Sequence, residues 1–248
     1  MHKTPSWNYF KQHCLQMPEL GMSIDISRMK APDKLPNSLE EKFFTAFEQM
    51  QKLEKGSIAN PDENQIVGHY WLRNSALAPT EKIQNQINST LEKIQQFTED
   101  INQKTIKPQK STQFRNVLSV GMGGSALGPQ LIYSALGSQK ESMRFYFIDN
   151  TDPDGIDQAI TSIGKGLAET LILIISKSGG TLETRNAMIE IRECYFSAGL
   201  DFARHTVAIT GKNSQLAQLA TKENWLGYFP MWDWVGGRTS ILSAVGLL

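Results

Sequence analysis

The chain has 248 residues, of which 40% are hydrophobic, so it can bury a large core as one domain or as one domain with a helical extension. Its 25 Lys and Arg residues balance its 25 Asp and Glu residues, which argues against nucleic acid or an anionic membrane as a partner. Cys14 and Cys194 lack the spacing of metal ligands, and no segment resembles a secretory signal or a membrane span. These observations predict a cytoplasmic protein with a small-molecule ligand and no membrane association.

The first 110 residues are polar and are predicted to form an N-terminal helical region. Segment 39–54 carries apolar residues at helical spacing and follows Ser38, a candidate N-cap. Segment 80–103 repeats this spacing over a longer stretch. An amphipathic helix packed on a sheet is the favoured interpretation of that segment, and a coiled coil is the alternative.

Residues 111–248 are predicted to form a second domain, because short apolar runs there alternate with helical patterns. This alternation predicts an α/β fold, a three-layer sandwich in which helices flank a parallel sheet. Parallel sheets of this kind bind ligands at the carboxyl ends of their strands. The predicted strands are 116–121, 143–149, 170–176 and 205–210, and the predicted helices are 126–137, 182–198 and 213–222.

The clearest candidate for a binding site follows the predicted strand 170–176. This apolar run ends in hydroxyl side chains, a lysine and two glycines, directly before a helical pattern that begins at Leu182. Hydroxyls and unhindered N–H groups at a helix N-terminus are the donors that a phosphate monoester requires. The lysine could add its charge, contribute only its backbone, or be solvated. The candidate phosphate-binding residues are Ser176, Lys177, Ser178, Gly179, Gly180 and Thr181.

A glycine-rich turn after the first predicted strand allows three interpretations. As a dinucleotide fingerprint it supplies Gly121, Gly123 and Ala126 at the required offsets, with Asp149 ending the next strand. As a simple strand-to-helix turn it supplies Ser125 as an N-cap. As part of a sugar or phosphate site it offers bare amides to a ligand. The third interpretation is favoured, because a dinucleotide domain would not need the neighbouring hydroxyl cluster as well.

Arg238 lies directly after Gly236 and Gly237 near the end of the sequence. A guanidinium has five fixed donors and keeps its charge, so it suits an oxyanion or a developing enediolate. The alternative is a structural role in which Arg238 binds Asp233 or a backbone carbonyl.

Together these clusters resemble the glucose-6-phosphate isomerase family, which is built from sugar isomerase (SIS) domains. The segments VGMGGSALGP, SKSGGTLET and WVGGRTSILSAVG occur in the order of the family. The resemblance extends upstream through NPDENQIVGHYWLRN and covers most of residues 60–248, and its SGGT variant resembles the bacterial or cyanobacterial type. It implies sugar contacts from Gly124 and Ser125, phosphate contacts from Ser176, Ser178 and Thr181, enediolate stabilisation by Arg238, and a supporting acid at Glu183.

The resemblance also implies the reaction. Members interconvert glucose 6-phosphate and fructose 6-phosphate by proton transfer through a cis-enediolate, in glycolysis and gluconeogenesis, without metal or cofactor. A homodimer is implied for the full-length enzyme.

The resemblance further implies that key catalytic groups are absent. The family's catalytic glutamate, ring-opening histidine and late lysine lie in the second half of a longer chain, and none of the four histidines here sits in a matching motif. The final segment ILSAVGLL is an apolar helical pattern without a stop signal. We therefore expect an N-terminal portion of such an enzyme, inactive alone. A non-catalytic SIS-type sugar-phosphate-binding module and a nicotinamide-dependent oxidoreductase are the alternatives.

Overall fold

The computed structural model describes residues 6–29, 37–137 and 143–248. The chain divides into two compact units, residues 1–50 and 51–248. The domain boundary predicted near residue 110 stays a prediction. None of the described helices is both long enough and apolar enough to cross a membrane.

The first unit contains a short helix, a hairpin and most of a long helix. Helix α1 (Trp7–His13) leads into an antiparallel hairpin of β1 (Cys14–Met17) and β2 (Met22–Asp25). Helix α2 (Asn37–Glu54) confirms the helix predicted over 39–54. Helix α2 begins at Asn37, and the side chain of Ser38 lies outside the described residues, so its role as N-cap stays a prediction.

The second unit is built on a parallel sheet. Its strands are β3 (Ile58–Asn60), β4 (Gln65–Ile66), β5 (Asn116–Gly121), β6 (Arg144–Ile148), β7 (Thr170–Ser176), β8 (Thr206–Gly211) and β9 (Gly227–Met231). Its helices are α3 (Glu81–Asn102), α4 (Leu127–Leu136), α5 (Pro153–Ile163), α6 (Leu182–Ser197), α7 (Gln215–Lys222) and α8 (Ala244–Leu247). Strands β3 and β4 form a small antiparallel pair, while the parallel sheet has the order β6, β5, β7, β8, β9. The predicted α/β class and its parallel sheet are confirmed.

Strand β7 is the centre of the sheet, and all seven of its residues are buried. Its side chains alternate between the two faces. Ile172 and Ile174 pack with Ile191 of α6 in one core cluster, whereas Leu173 and Ile175 belong to the cluster on the opposite face. A strand covered by helices on both faces needs an unbroken apolar run, which is why the sequence predicts β7 readily.

Helix α3 settles the choice between an amphipathic helix and a coiled coil. Thr80 caps it by accepting a hydrogen bond from the backbone N–H of Ile83, at 3.3 Å. Its apolar face is buried, and Phe97 packs edge-on against Phe229 of β9 with ring centroids 5.5 Å apart. The preferred interpretation, a helix packed on the sheet, is confirmed.

A buried polar cluster lies at the beginning of β7. The His205 side chain is fully buried, and its Nδ1–H donates to the carbonyl of Thr170 at 3.0 Å. The Tyr195 hydroxyl donates to the carbonyl of Leu167 at 2.9 Å. Burial lowers the pKa of His205, although the bond to Thr170 opposes this shift. The folded protein therefore favours neutral His205.

This lowered pKa predicts a loss of stability in acid. Because the unfolded chain protonates His205 more readily, the stability contributed by the neutral imidazole is present above the unfolded pKa of about 6.5 and falls as the pH drops below it. We expect the urea concentration at the midpoint of unfolding to be lower at pH 5.5 than at pH 7.5. This decrease should be smaller in His205→Asn, which keeps an N–H donor, than in the wild-type chain. In His13→Asn it should equal the decrease in the wild-type chain. An equal fall in all three proteins would contradict this assignment.

Candidate functional site

A cleft of about 460 Å³ opens at the carboxyl edge of the sheet, between β5 and β7. From β5 the chain continues to β6, on one side of β5, and then to β7, on its other side. The cleft between β5 and β7 therefore lies at the point where the strand order reverses. This is where open parallel sheets bind their ligands. The lining residues are Met122, Gly124, Ser125, Ile175, Ser176, Lys177, Ser178, Thr181, Thr184, Met231, Asp233 and Gly237.

The turn from β7 into α6 brings three hydroxyl groups together. The Thr181 hydroxyl oxygen lies 2.9 Å from that of Ser176 and 3.4 Å from that of Ser178. The backbone N–H of Gly180 donates to the Ser178 hydroxyl oxygen at 3.2 Å. The predicted donors thus form a preorganised cradle, which we call the β7–α6 cradle (residues 176–181).

Gly179 is required for the shape of this cradle. It has a φ of +67°, and a Cβ there would lie 2.6 Å from the Cβ of Ser214 at the start of α7. Any larger residue would be strained and would displace the beginning of α7. Gly179 also lines a smaller adjoining cavity of about 100 Å³ between α6 and α7.

The N-terminus of α6 lacks a side-chain cap. By contrast, α5 and α7 are capped by the side chains of Asp152 and Ser214. Uncapped N–H groups at a helix N-terminus attract anions, both as donors and through the helix dipole. Thr184 lies in the first turn of α6, and its 2%-exposed side chain carries a hydroxyl without a hydrogen-bond partner in the described structure. The uncapped N–H groups and this hydroxyl are donors that match the acceptor atoms of an oxyanion.

The opposite wall of the cleft is formed by a close approach of two glycines. A Cβ on Gly124 would lie 2.5 Å from the Cα of Gly237, so the two backbones are in direct contact. The Ser240 hydroxyl shares its one proton between these two residues, with its oxygen 3.0 Å from the Gly124 carbonyl and 2.9 Å from the Gly237 carbonyl. This packing holds the glycine turn after β5 against the segment that carries Arg238.

The turn after β5 differs from a simple strand-to-helix turn. Residues Gly123–Ser125 form a 3₁₀ turn, and α4 begins only at Leu127, without a side-chain cap. The alternative in which Ser125 caps the helix is therefore wrong. Ser125 instead lines the cleft.

Arg238 directly follows Gly237, which lines the cleft, but Arg238 itself is not among the lining residues. Its side chain is exposed, and within the described residues it forms no hydrogen bond or ion pair with Asp233 or with a carbonyl. The structural alternative for Arg238 thus finds no support. The neighbouring Trp234 is buried and packs on Trp71 with ring centroids 5.4 Å apart. This packing fixes the backbone of the segment that precedes Arg238.

The Lys177 side chain extends across the cleft. Its Nζ donates to the backbone carbonyls of Asp233 and Val235 at 2.9 and 3.0 Å. The alternative of a solvated Lys177 is wrong. Periodicity and composition could not have indicated these bonds, because a lysine next to a phosphate cradle is expected to face the anion.

Glu183 occupies the first turn of α6 and is exposed, and it does not line the cleft. Six lining residues are not among the candidate site residues predicted from the sequence: Met122, Ile175, Thr184, Met231, Asp233 and Gly237. Met231 ends β9, a strand not predicted from its sequence. The apolar run before Trp232 was the signal that could have indicated it.

The fold and the cleft define the class of protein, an α/β protein of the sugar isomerase (SIS) type. Comparison with known sequences narrows this class. The sequence profile described as Phosphoglucose isomerase matches residues 25–248. The chain belongs to the phosphoglucose isomerase family.

Several curated relatives support this assignment. The glucose-6-phosphate isomerase of Desulfitobacterium hafniense (strain Y51) is 54% identical over 243 residues, which are 98% of this chain and 46% of that protein. The chloroplastic glucose-6-phosphate isomerase 1 of Arabidopsis thaliana is 52% identical over 244 residues, 98% of this chain and 40% of that protein. The chain thus spans about half the length of the curated relatives that it matches.

A solved structure agrees with the sequence comparison. The crystal structure of a glucose-6-phosphate isomerase from Chlamydia trachomatis superposes with a TM-score of 0.81 at 26% identity, over 97% of this chain and 46% of that one. A hypothetical protein from Thermus thermophilus superposes less closely, with a TM-score of 0.54 at 26% identity, over 73% of this chain and 42% of that one.

Proposed function

We propose that this chain supplies the sugar-phosphate-binding part of a glucose-6-phosphate isomerase. The observation that carries the proposal is the uncapped N-terminus of α6, where the hydroxyls of Ser176, Ser178 and Thr181 converge on one side of a cleft at the strand-order reversal. The substrate class is a hexose 6-phosphate. The phosphate of such a ligand is dianionic near neutral pH and matches these donors.

The remaining residues suit the sugar part of the ligand. With the phosphate in the β7–α6 cradle, the sugar would extend along the cleft towards Gly124 and Ser125. The Arg238 guanidinium would stabilise the negative charge of the enediolate, which forms when a base removes the proton from C2 of the open-chain aldose. Transfer of the O2 hydroxyl proton to O1 and return of the abstracted proton to C1 give the ketose.

The general base for this proton transfer is assigned to no residue of this chain. Asp233 is the one carboxylate among the described residues that line the cleft, and it is exposed. A positioned general base contributes about 10²- to 10⁴-fold in rate, so we infer that the chain alone has no turnover above background. The complete enzyme would be a cytoplasmic homodimer that needs no metal or cofactor.

A coupled assay tests this function directly. We expect the purified chain to convert fructose 6-phosphate to glucose 6-phosphate no faster than buffer does. Turnover that Arg238→Ala abolishes would show that a base lies within these residues, and its loss in Asp233→Asn would identify that base. In either case the inactivity of the chain would be contradicted.

A further inference from the structure

The side chain of Lys177 joins the two halves of the cleft. Its backbone belongs to the β7–α6 cradle, while its Nζ holds the carbonyls of Asp233 and Val235. The carbonyl of Lys177 itself accepts a hydrogen bond from the backbone N–H of Gly211 at 2.9 Å. These two bonds direct two of the three ammonium donors towards the carbonyls of the opposite wall.

Lys177 shares the anchoring of the segment that it holds with the contact between Gly124 and Gly237. We call residues 232–238 the Arg238 loop. The backbone N–H of Gly68 donates to the carbonyl of Trp234 at 2.9 Å, so three consecutive carbonyls of the loop are bound from outside it, two of them by Lys177. Beyond these bonds, Trp232 stacks on Trp234 with ring centroids 4.9 Å apart.

We propose that Lys177 is a positioning residue, which sets the distance between the phosphate cradle and the Arg238 guanidinium without itself binding the ligand. This inference rests on the proposed function. Arg238 follows Val235 by three residues, and its side chain forms no hydrogen bond or ion pair within the described structure. The carbonyls bound before it and the contact between Gly124 and Gly237 together set the position of its backbone. A ligand held at both ends, by its phosphate and by an oxyanion at the far end, requires that spacing. A ligand that occupies the cradle alone does not.

Two probes separate these cases. Inorganic phosphate occupies only the cradle. Arabinonate 5-phosphate carries a phosphate at one end and, at the other, a planar carboxylate that imitates the enediolate, so its affinity also reports the position of Arg238. Affinities are measured by calorimetry on the purified 248-residue chain.

The variants isolate the ammonium group. Lys177→Met keeps the length of the side chain and the backbone N–H but removes the donors, and Lys177→Arg restores donors for the two carbonyls. Lys212→Met is the matched control, because Lys212 is an exposed lysine just beyond the end of the neighbouring strand β8. It removes the same charge from the same edge of the sheet.

We expect Lys177→Met to weaken arabinonate 5-phosphate binding at least about tenfold, while phosphate affinity changes less than about threefold. Lys177→Arg should recover most of this loss, and Lys212→Met should leave the ratio of the two affinities unchanged. Equal losses for both probes would overturn the proposal by showing that Lys177 acts as a phosphate ligand. No loss for either probe would also overturn it.

Hydrogen exchange provides a readout that needs no ligand. The backbone N–H of Val235 donates to the carbonyl of Trp232 at 3.1 Å, and its exchange reports opening of the Arg238 loop. We expect faster exchange over 232–238 in Lys177→Met than in Lys212→Met. If the wild-type chain binds neither probe, the proposed function fails, while unchanged exchange in Lys177→Met would separately overturn the role of Lys177.

Discussion

Gly124→Ala is expected to destabilise the second unit and to disrupt the cleft at the same time. The new Cβ would lie 2.5 Å from the Cα of Gly237 and 2.6 Å from its carbonyl carbon and oxygen, and backbone atoms cannot rotate away as a side chain can. Forced packing of this kind costs about 3 kcal/mol, which corresponds to a melting temperature roughly 6 to 12 °C lower. Separation of the two backbones would also move Arg238, so the affinity for arabinonate 5-phosphate should fall at least about tenfold.

Gly236→Ala is the matched control for this change. Gly236 lies in the same loop, has a φ of −73° and a ψ of 156°, and would place its Cβ no closer than 3.5 Å to the Thr239 hydroxyl. Alanine adopts this conformation without strain, so we expect a stability change within about 0.5 kcal/mol. Differential scanning calorimetry distinguishes the two variants. Equal melting temperatures for Gly124→Ala and Gly236→Ala would contradict the close contact of the two glycines.

Arg238→Ala is expected to separate binding from folding. The side chain is exposed, so its loss should change the melting temperature little. A hydrogen bond to a charged group contributes about 1.5 to 3 kcal/mol, so the affinity for arabinonate 5-phosphate should fall by roughly 10- to 150-fold. Inorganic phosphate, which occupies only the cradle, should bind as it does to the wild-type chain.

Two further variants make this prediction specific. Arg238→Lys keeps the charge but loses the planar fork of donors, so it should recover only part of the affinity. Arg144→Ala removes an exposed arginine at the start of β6, at the opposite edge of the sheet, and should have no effect. A loss of phosphate affinity in Arg238→Ala would mean that the guanidinium serves the cradle and not the enediolate.

The parts of the fold that were predicted correctly are those whose local pattern and tertiary role agree. Strand β7 is an unbroken apolar run because helices cover both of its faces. Strand β9 was not predicted because it contains Pro230, which cannot donate to a neighbouring strand, and its position at the edge of the sheet makes this tolerable. Helix α5 was not predicted either, although Asp152 as N-cap and Pro153 in the first turn are the usual signals of a helix start.

In the candidate site, the arrangement of neighbouring residues could be predicted, whereas contacts between residues far apart in the sequence could not. The donors of the β7–α6 cradle are consecutive in sequence, so their convergence could be predicted from a strand that runs into a helix. The contact between Gly124 and Gly237 and the bonds from Lys177 to the Arg238 loop join residues that lie far apart in the sequence. No local pattern carries such information, since it depends on how the strands are ordered in the sheet.

The central claim is that the β7–α6 cradle binds the phosphate of a hexose 6-phosphate, and a calorimetric titration of the purified chain with glucose 6-phosphate tests it most directly. We expect glucose 6-phosphate to bind in competition with inorganic phosphate, and glucose not to bind. Thr181→Val should weaken binding about tenfold through the loss of one hydrogen bond to a charged group. Thr221→Val removes a hydroxyl that bonds within α7 and should leave binding unchanged. Equal affinity for glucose and glucose 6-phosphate, or unaltered binding by Thr181→Val, would contradict the account.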